Sequence, residues 1–78
     1  MATGQRKAPK TEHPVRKWIC ETVKASSEPM SPKELAKLHG RSISNIAYHV
    51  RVLAEAGDLR LVDTRDVRGS VEHFYEFP

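Results

Sequence analysis

Residues 31–57 read SPKELAKLHGRSISNIAYHVRVLAEAG and carry the signals of two helices separated by a very short turn. Ser31 and Glu34 have the spacing of a capping box, in which each side chain accepts a hydrogen bond from the other residue's backbone N–H. Pro32 suits the first position of a helix, and Gly40 suits the residue just beyond its end, because glycine readily adopts the left-handed conformation found there. These signals predict a short helix that ends just before Gly40.

A second helix follows within two or three residues, with Ser42 or Ser44 as its N-cap. Its apolar residues recur every three or four positions, which predicts a helix over about 43–56 with one side in the core. The residues predicted to face the core are Leu35, Ala36 and Leu38 in the first of these helices and Ile43, Ile46, Ala47, Val50, Leu53 and Ala54 in the second.

The residues before this stretch predict one more helix and a tail. Pro14 suits a first helical position. The apolar spacing of a one-sided helix follows it at Val15, Trp18, Ile19, Thr22 and Val23. Residues 1–12 carry the cations Arg6, Lys7 and Lys10 and no large apolar side chain after Met1. We expect residues 1–12 to form a disordered basic tail, and the sequence leaves open whether this tail contacts DNA.

After residue 58 the apolar spacing changes from helical to alternating. Leu59 and Leu61 flank Arg60, and further along Val71, Tyr75 and Phe77 alternate with Glu72, Phe74 and Glu76. Alternation of this kind is typical of β-strands. Between the two runs lies a polar segment in which Gly69 is the turn residue. The sequence therefore predicts a two-stranded hairpin with a charged tip, or wing, over about 62–71.

Length and composition restrict the class of protein. The chain has 78 residues, of which 38% are hydrophobic and 29% are charged, with a formal net charge of +3 and one cysteine. This size supports a single core, and no segment offers the roughly 20 apolar residues that span a bilayer. One cysteine excludes an internal disulfide and suits a reducing cytoplasm. We expect a cytoplasmic domain whose modest positive charge suits a polyanionic partner without establishing one.

Three helices followed by a hairpin, with a short glycine turn between the second and third helix, describe an α+β winged helix-turn-helix domain over residues 13–78. The three one-sided helices share a core, while the hairpin covers its open side and projects a loop. The third helix keeps one face outward, and a helix fits the roughly 12 Å width of the major groove of B-DNA.

The helix-turn-helix stretch also resembles that of the ArsR-type winged-helix transcriptional regulators. The run SNIAYHVRVL at residues 44–53 is similar to their recognition helix, usually Ser-x-x-Ser-x-His-Leu-x-x-Leu, with Ala47 and Val50 replacing the usual Ser and Leu. The run RGSVEHFY at residues 68–75 is similar to their wing and last strand. The resemblance covers about residues 14–77. It implies a prokaryotic or phage-borne regulator, such as a repressor, that binds double-stranded DNA sequence-specifically, usually as a homodimer.

Side chains on the outward face of the third helix are candidates for reading DNA bases. Asparagine can form two hydrogen bonds with adenine, and arginine can bond guanine or a phosphate. Tyr48 offers a hydroxyl to a phosphate and a ring to a thymine methyl. For His49, near the helix flank, packing, phosphate contact and base contact all stay open. The candidate DNA-binding residues are Lys33, Arg41, Ser42, Ser44, Asn45, Tyr48, His49 and Arg51, together with Arg65 and Arg68 in the wing.

The wing supports a second interpretation, because Asp63, Asp66 and Glu72 lie among its arginines. These acids can pair with Arg65 and Arg68, which leaves less positive charge for DNA phosphates. A winged helix can also present its third helix or its wing to another protein. The alternative function is therefore a protein-interaction module with only weak, non-specific binding of nucleic acid.

The remaining residues argue against an enzyme and against a metal site. No glycine-rich phosphate loop or nucleophile elbow occurs, so we expect no catalysis and no cofactor. Cys20 stands alone and the four histidines fall in different elements, so no set of metal ligands can be argued. The family's last helix, which serves dimerisation, has no counterpart before Pro78. A homodimer and a protein partner both stay open.

Overall fold

A computed structural model describes residues 13–78 and shows three helices followed by a two-stranded antiparallel sheet. This order confirms the predicted winged-helix α+β fold. The basic tail predicted for residues 1–12 lies outside the described residues. The elements are α1 (Pro14–Ala25), α2 (Pro32–His39), α3 (Ile43–Glu55), β1 (Arg60–Val67) and β2 (Ser70–Glu76).

The predicted capping box starts α2. The Ser31 hydroxyl accepts a hydrogen bond from the Glu34 N–H at 3.2 Å, and the Glu34 carboxylate accepts one from the Ser31 N–H at 3.0 Å. Ser31 is fully buried, so the cap satisfies its backbone N–H where water does not reach. At the other end Gly40 has a φ of 70° and donates its N–H to the Ala36 carbonyl at 2.9 Å. Residues 40–42 alone therefore connect α2 to α3.

One hydrophobic core lies between the three helices and is closed by the base of the hairpin. Three large side chains, Trp18, Met30 and Tyr75, pack against its edge and stay partly exposed. Because all three helices contribute fully buried residues, α3 is held in one orientation by its inner side. The buried residues are Val15, Ile19, Cys20, Val23, Leu35, Ala36, Ile46, Val50, Leu53 and Leu59.

Backbone hydrogen bonds fasten the hairpin to the helices through Met30. The Met30 N–H donates to the Tyr75 carbonyl, and the Tyr75 N–H donates to the Met30 carbonyl, each at 2.9 Å. Met30 thus extends the sheet by one residue on the free side of β2. Since Met30 directly precedes the cap of α2, the same short segment positions the hairpin and α2.

The tip of the hairpin is shorter than the sequence predicts. Val67 at the end of β1 pairs with Ser70 at the start of β2, which leaves Arg68 and Gly69 as the loop. Both residues have a positive φ, 53° and 82°, as a two-residue type I′ turn requires. Most of the segment predicted as a polar tip is therefore paired strand.

Two residues predicted to lie in the core are exposed, Leu38 at 63% and Ile43 at 52%. The buried side of α2 lies between Leu35 and Ala36, and Leu38 stands roughly 110° away around the helix. Ile43 is the first residue of α3, and helical side chains lean toward the N-terminus. Its side chain therefore projects beyond the N-terminal end of α3 and stays exposed.

The hairpin differs from regular alternation in two ways. It contains a bulge, and it buries Phe74, which the alternating pattern places on the same side as Glu72 and Glu76. The pairing register shifts between Leu61 and Asp63, so Val62 has no partner in β2. Phe74 is only 6% exposed, whereas Val71 is 63% exposed. Tyr75 faces the helical core, and Phe74 is covered on the other face of the hairpin. Both faces of β2 therefore carry a packed aromatic ring.

Replacing the buried cap, Ser31→Ala, should lower the free energy of unfolding by about 1 kcal/mol, because the N–H of Glu34 loses its acceptor. Urea unfolding followed by circular dichroism measures the change. The matched control is Ser27→Ala in the exposed loop before α2, which should stay within about 0.5 kcal/mol of the wild type. Equal losses in the two variants would contradict the importance of the cap.

Candidate nucleic-acid interface

The outward face of α3 carries three of the predicted contact residues. Ser44, Tyr48 and Arg51 lie within about 60° of one another around the helix, and all three are exposed. Tyr48 keeps 55% of its surface exposed despite its large ring. The opposite side of α3 carries the fully buried residues Ile46, Val50 and Leu53. The helix is thus fixed by one side and free to contact a ligand with the other.

The start of α3 is suited to an anion. The Ser42 hydroxyl caps the helix by accepting a hydrogen bond from the Asn45 N–H at 3.2 Å. No acid lies in the first turn, and the Arg41 guanidinium lies 3.5 Å from the amide oxygen of half-buried Asn45. A helix N-terminus carries a partial positive charge, to which Arg41 adds a full one. In the structure, therefore, Ser42 caps α3, and Arg41 supplies the positive charge at this end of the helix.

His49 lies against α1 and away from the outward face. Its side chain is buried, with 7% exposed, and its Nδ1 accepts a hydrogen bond from the Nε–H of Arg16 at 3.0 Å. The His13 ring packs 4.8 Å from the His49 ring, centroid to centroid. Of the three roles left open by the sequence, the structure shows packing, and burial removes His49 from the surface that base contact requires.

The environment of His49 favours the neutral imidazole. Burial lowers the pKa of His49, and the nearby charges of Arg16, His13 and Arg41 lower it further. A neutral ring with an unprotonated Nδ1 is the form that accepts the hydrogen bond from Arg16. The contact between α1 and α3 therefore depends on the protonation state of His49.

The wing arginines are in different environments. The Arg65 Nε–H donates to Asp63 at 2.8 Å, and its guanidinium carbon lies 4.4 Å from the centroid of the Phe74 ring. This hydrogen bond, with one from the Thr64 N–H, lowers the pKa of Asp63. Arg65 thus covers Phe74 and is paired with an acid. Within residues 13–78, Arg68 at the turn forms no ion pair.

Ion pairing separates the other cations too. Lys33 lies 3.9 Å from Glu72 of β2 and keeps an exposed side chain, so the pair is weak. Arg60 pairs with Glu76 at the base of the hairpin. Within the part of the chain that the structure describes, the arginines without an ion pair include Arg16, Arg41, Arg51 and Arg68.

Arg16 is not among the residues that the sequence indicates as candidates, and its contact with α3 joins residues 33 positions apart. The sequence places Arg16 on the polar side of α1, and no spacing rule predicts which distant side chain it meets. The contact arises from the packing of α1 against α3.

Other features of residues 13–78 do not belong to this surface. No group of three or more His, Cys, Asp or Glu side chains is close enough to hold a metal ion there. Cys20 is buried, and burial, with lesser effects from Asp58 and Glu21, raises the pKa of its thiol. None of the described helices is long and apolar enough to cross a bilayer. An open apolar groove lies between α1 and α2, lined by Trp18, Met30 and Leu38.

Comparison with known protein families gives a match over the helical part of the chain. Residues 11–62, two thirds of the chain, match the family described as a helix-turn-helix domain. The match spans α1, α2 and α3 and ends within β1. No curated protein matches the chain.

The buried imidazole should make folding stability depend on pH. In the folded state the pKa of His49 lies below its ordinary value of 6.5. Between that lowered pKa and pH 6.5, His49 therefore takes up a proton when the protein unfolds. Stability is then fully present above pH 6.5 and falls as the pH is lowered through that value toward the folded-state pKa.

Urea unfolding at several pH values between about 7.5 and 5 tests this dependence. His49→Gln should flatten the fall in unfolding free energy, because glutamine does not titrate. His73→Gln, which changes an exposed imidazole of β2, is the control and should keep the wild-type slope. The same slope in all three proteins would contradict the role of His49.

Proposed function

The chain belongs to the helix-turn-helix domain family, and on that basis we propose that it is a transcriptional regulator that binds double-stranded DNA sequence-specifically. In this proposal α3 enters the major groove and the hairpin contacts the flanking backbone or minor groove. One observation carries the proposal, the exposed row of Ser44, Tyr48 and Arg51 on a helix whose other side is fully buried.

Each part of α3 has a role in this proposal. Arg51 and Asn45 bond base edges, since arginine recognises guanine and asparagine recognises adenine. Ser44 and the Tyr48 hydroxyl add hydrogen bonds to bases or phosphates. The capped N-terminus of α3, together with Arg41, holds a backbone phosphate and so sets the depth at which the helix enters the groove.

The ion pairs of the hairpin reduce the number of wing arginines that are available to contact DNA. Arg68, at the tip and without an ion pair among residues 13–78, is the wing residue that contacts DNA in this proposal. Arg65 supports the hairpin through Asp63 and Phe74, so its contribution to DNA binding is indirect. Lys33, only weakly paired with Glu72, is free to turn toward a phosphate.

The finer features of the proposal follow from the resemblance to ArsR-type regulators. We propose a cytoplasmic, prokaryotic repressor that acts by binding alone, without catalysis or a cofactor. A single helix reads about one half-site, so strong binding calls for two copies on a palindromic site. The homodimer is part of the proposal for this reason.

The second candidate function is binding of a partner protein. The apolar groove between α1 and α2 favours it, because Leu38 is 63% exposed beside partly exposed Trp18 and Met30. In that case α3 would bind duplex DNA only weakly and only at low salt. The experiment that tests the main proposal also separates the two.

Selection from a random duplex library at about 150 mM salt, with the number of bound copies measured on the recovered complex, should yield an enriched motif. The symmetry of that motif reports whether two copies bind. Repeating the selection with Asn45→Ala should lose the preference at one base position, a cost of roughly 1–3 kcal/mol on the original site. No enrichment, with affinity that vanishes as salt rises, would favour the protein partner.

Arg68→Ala should weaken binding by a similar factor on every duplex and lower the salt slope of the binding constant by about one, because one phosphate contact is lost. The control is Arg60→Ala, which removes the same charge from the other end of the hairpin, where Glu76 neutralises it. Binding constants at several salt concentrations measure both slopes. If the Arg68 variant keeps the wild-type slope, the tip makes no phosphate contact.

A further inference from the structure

We propose that Arg16 of α1 is a phosphate-binding residue of the DNA interface and that His49 of α3 is the positioning residue that holds it there. This inference rests on the proposed function and extends the interface from α3 and the wing to the start of α1. It assigns a role to the one long-range side-chain bond that joins α1 to α3 among the described residues.

The bond to His49 uses only part of the hydrogen-bonding capacity of Arg16. The Nε–H donates to the His49 Nδ1 at 3.0 Å, which leaves the terminal N–H groups of the guanidinium available. Within residues 13–78 no carboxylate lies within 4 Å of them. Arginine binds a phosphate through two parallel N–H groups, so the free end of Arg16 has the form that a phosphate needs.

The position of Arg16 is next to the outward face of α3. Its guanidinium carbon lies 6.0 Å from the centroid of the Tyr48 ring, and Tyr48 belongs to the exposed row. His49 stands about 100° around α3 from Tyr48, so Arg16 borders the flank of the helix. When a helix occupies the major groove, the phosphates that line the groove pass beside its flanks. Arg16 therefore lies where such a phosphate would pass.

The neutral imidazole keeps Arg16 in this position. Arg16 faces His49 from α1, and His13 faces it from the N-cap position just before α1. Arg41 lies near it in the turn before α3, and Tyr48 borders it on α3. The charged groups in this set are cations, which oppose protonation of His49 and keep its Nδ1 an acceptor. A guanidinium already fixed by one hydrogen bond loses less side-chain freedom when it binds a phosphate.

Arg16→Gln tests the contact through the salt dependence of duplex binding. The salt slope should fall by about 0.9, and the affinity should fall by the same factor on the selected site and on an unrelated duplex. Lys24→Gln is the matched control, because it removes one charge from the opposite end of α1, where the ammonium lies 5.3 Å from the centroid of the Phe77 ring. The control should keep the wild-type slope.

The positioning role of His49 needs its own variants. His49→Phe keeps an aromatic ring but removes the acceptor, so it should reproduce the lower slope of Arg16→Gln, and the double variant should lose no more. A readout without DNA is the titration of His49 followed by NMR, in which Arg16→Gln should raise the pKa of His49 because a neighbouring cation is gone. This second readout applies even if His49→Phe folds poorly.

The outcomes separate this inference from the proposed function. If the wild type binds no duplex at about 150 mM salt, the proposed function fails and the contact fails with it. If the wild type binds a selected site with a steep salt slope and Arg16→Gln keeps that slope, only the contact is overturned. An Arg16→Gln slope reduced no more than that of Lys24→Gln also overturns it. Additive losses in the double variant would remove His49 as the positioning residue.

Discussion

The exchange of two backbone hydrogen bonds between Met30 and Tyr75 determines where the hairpin sits on the helices. A two-stranded hairpin is marginally stable by itself in water, so it needs a partner surface. Met30 provides that partner, and the next residue, Ser31, caps α2. The sheet and the helix-turn-helix unit are therefore joined at adjacent residues, and the direction of the wing relative to α3 follows from this junction.

The distribution of charge is more informative than the net charge of +3. Two acids of the hairpin, Glu76 and Asp63, pair with Arg60 and Arg65, and a third, Glu72, lies near Lys33. Pairing removes much of the positive field from the wing. The cations that stay unpaired among residues 13–78 include three around α3, namely Arg16, Arg41 and Arg51. Steering of a polyanion would then favour the face that carries α3.

The sequence predicts those features that depend on nearby residues. The capping box of Ser31, the ends of α2 and α3 and the turn at Gly69 each follow from a local rule of helix or turn chemistry, and each is present. The acids of the wing likewise predict an acidic partner for Arg65, and that partner, Asp63, lies two residues away in β1. The contact of Arg65 with Phe74 and the bond of His49 to Arg16 do not follow from such rules, because packing between elements selects them. The periodicity of α3 predicts its outward row, whereas burial of His49 and exposure of Leu38 depend on how α1 and α2 approach their neighbours.

The turn at the wing tip has a consequence for how this chain would respond to engineering. Arg68 adopts a φ of 53°, a conformation that asparagine and glycine accept at lower cost than arginine. A library selected only for thermal resistance should therefore replace Arg68 and gain stability at this one position. The selected variant would then lack the Arg68 guanidinium at the tip of the hairpin. At the wing tip, heat tolerance and recognition favour different amino acids.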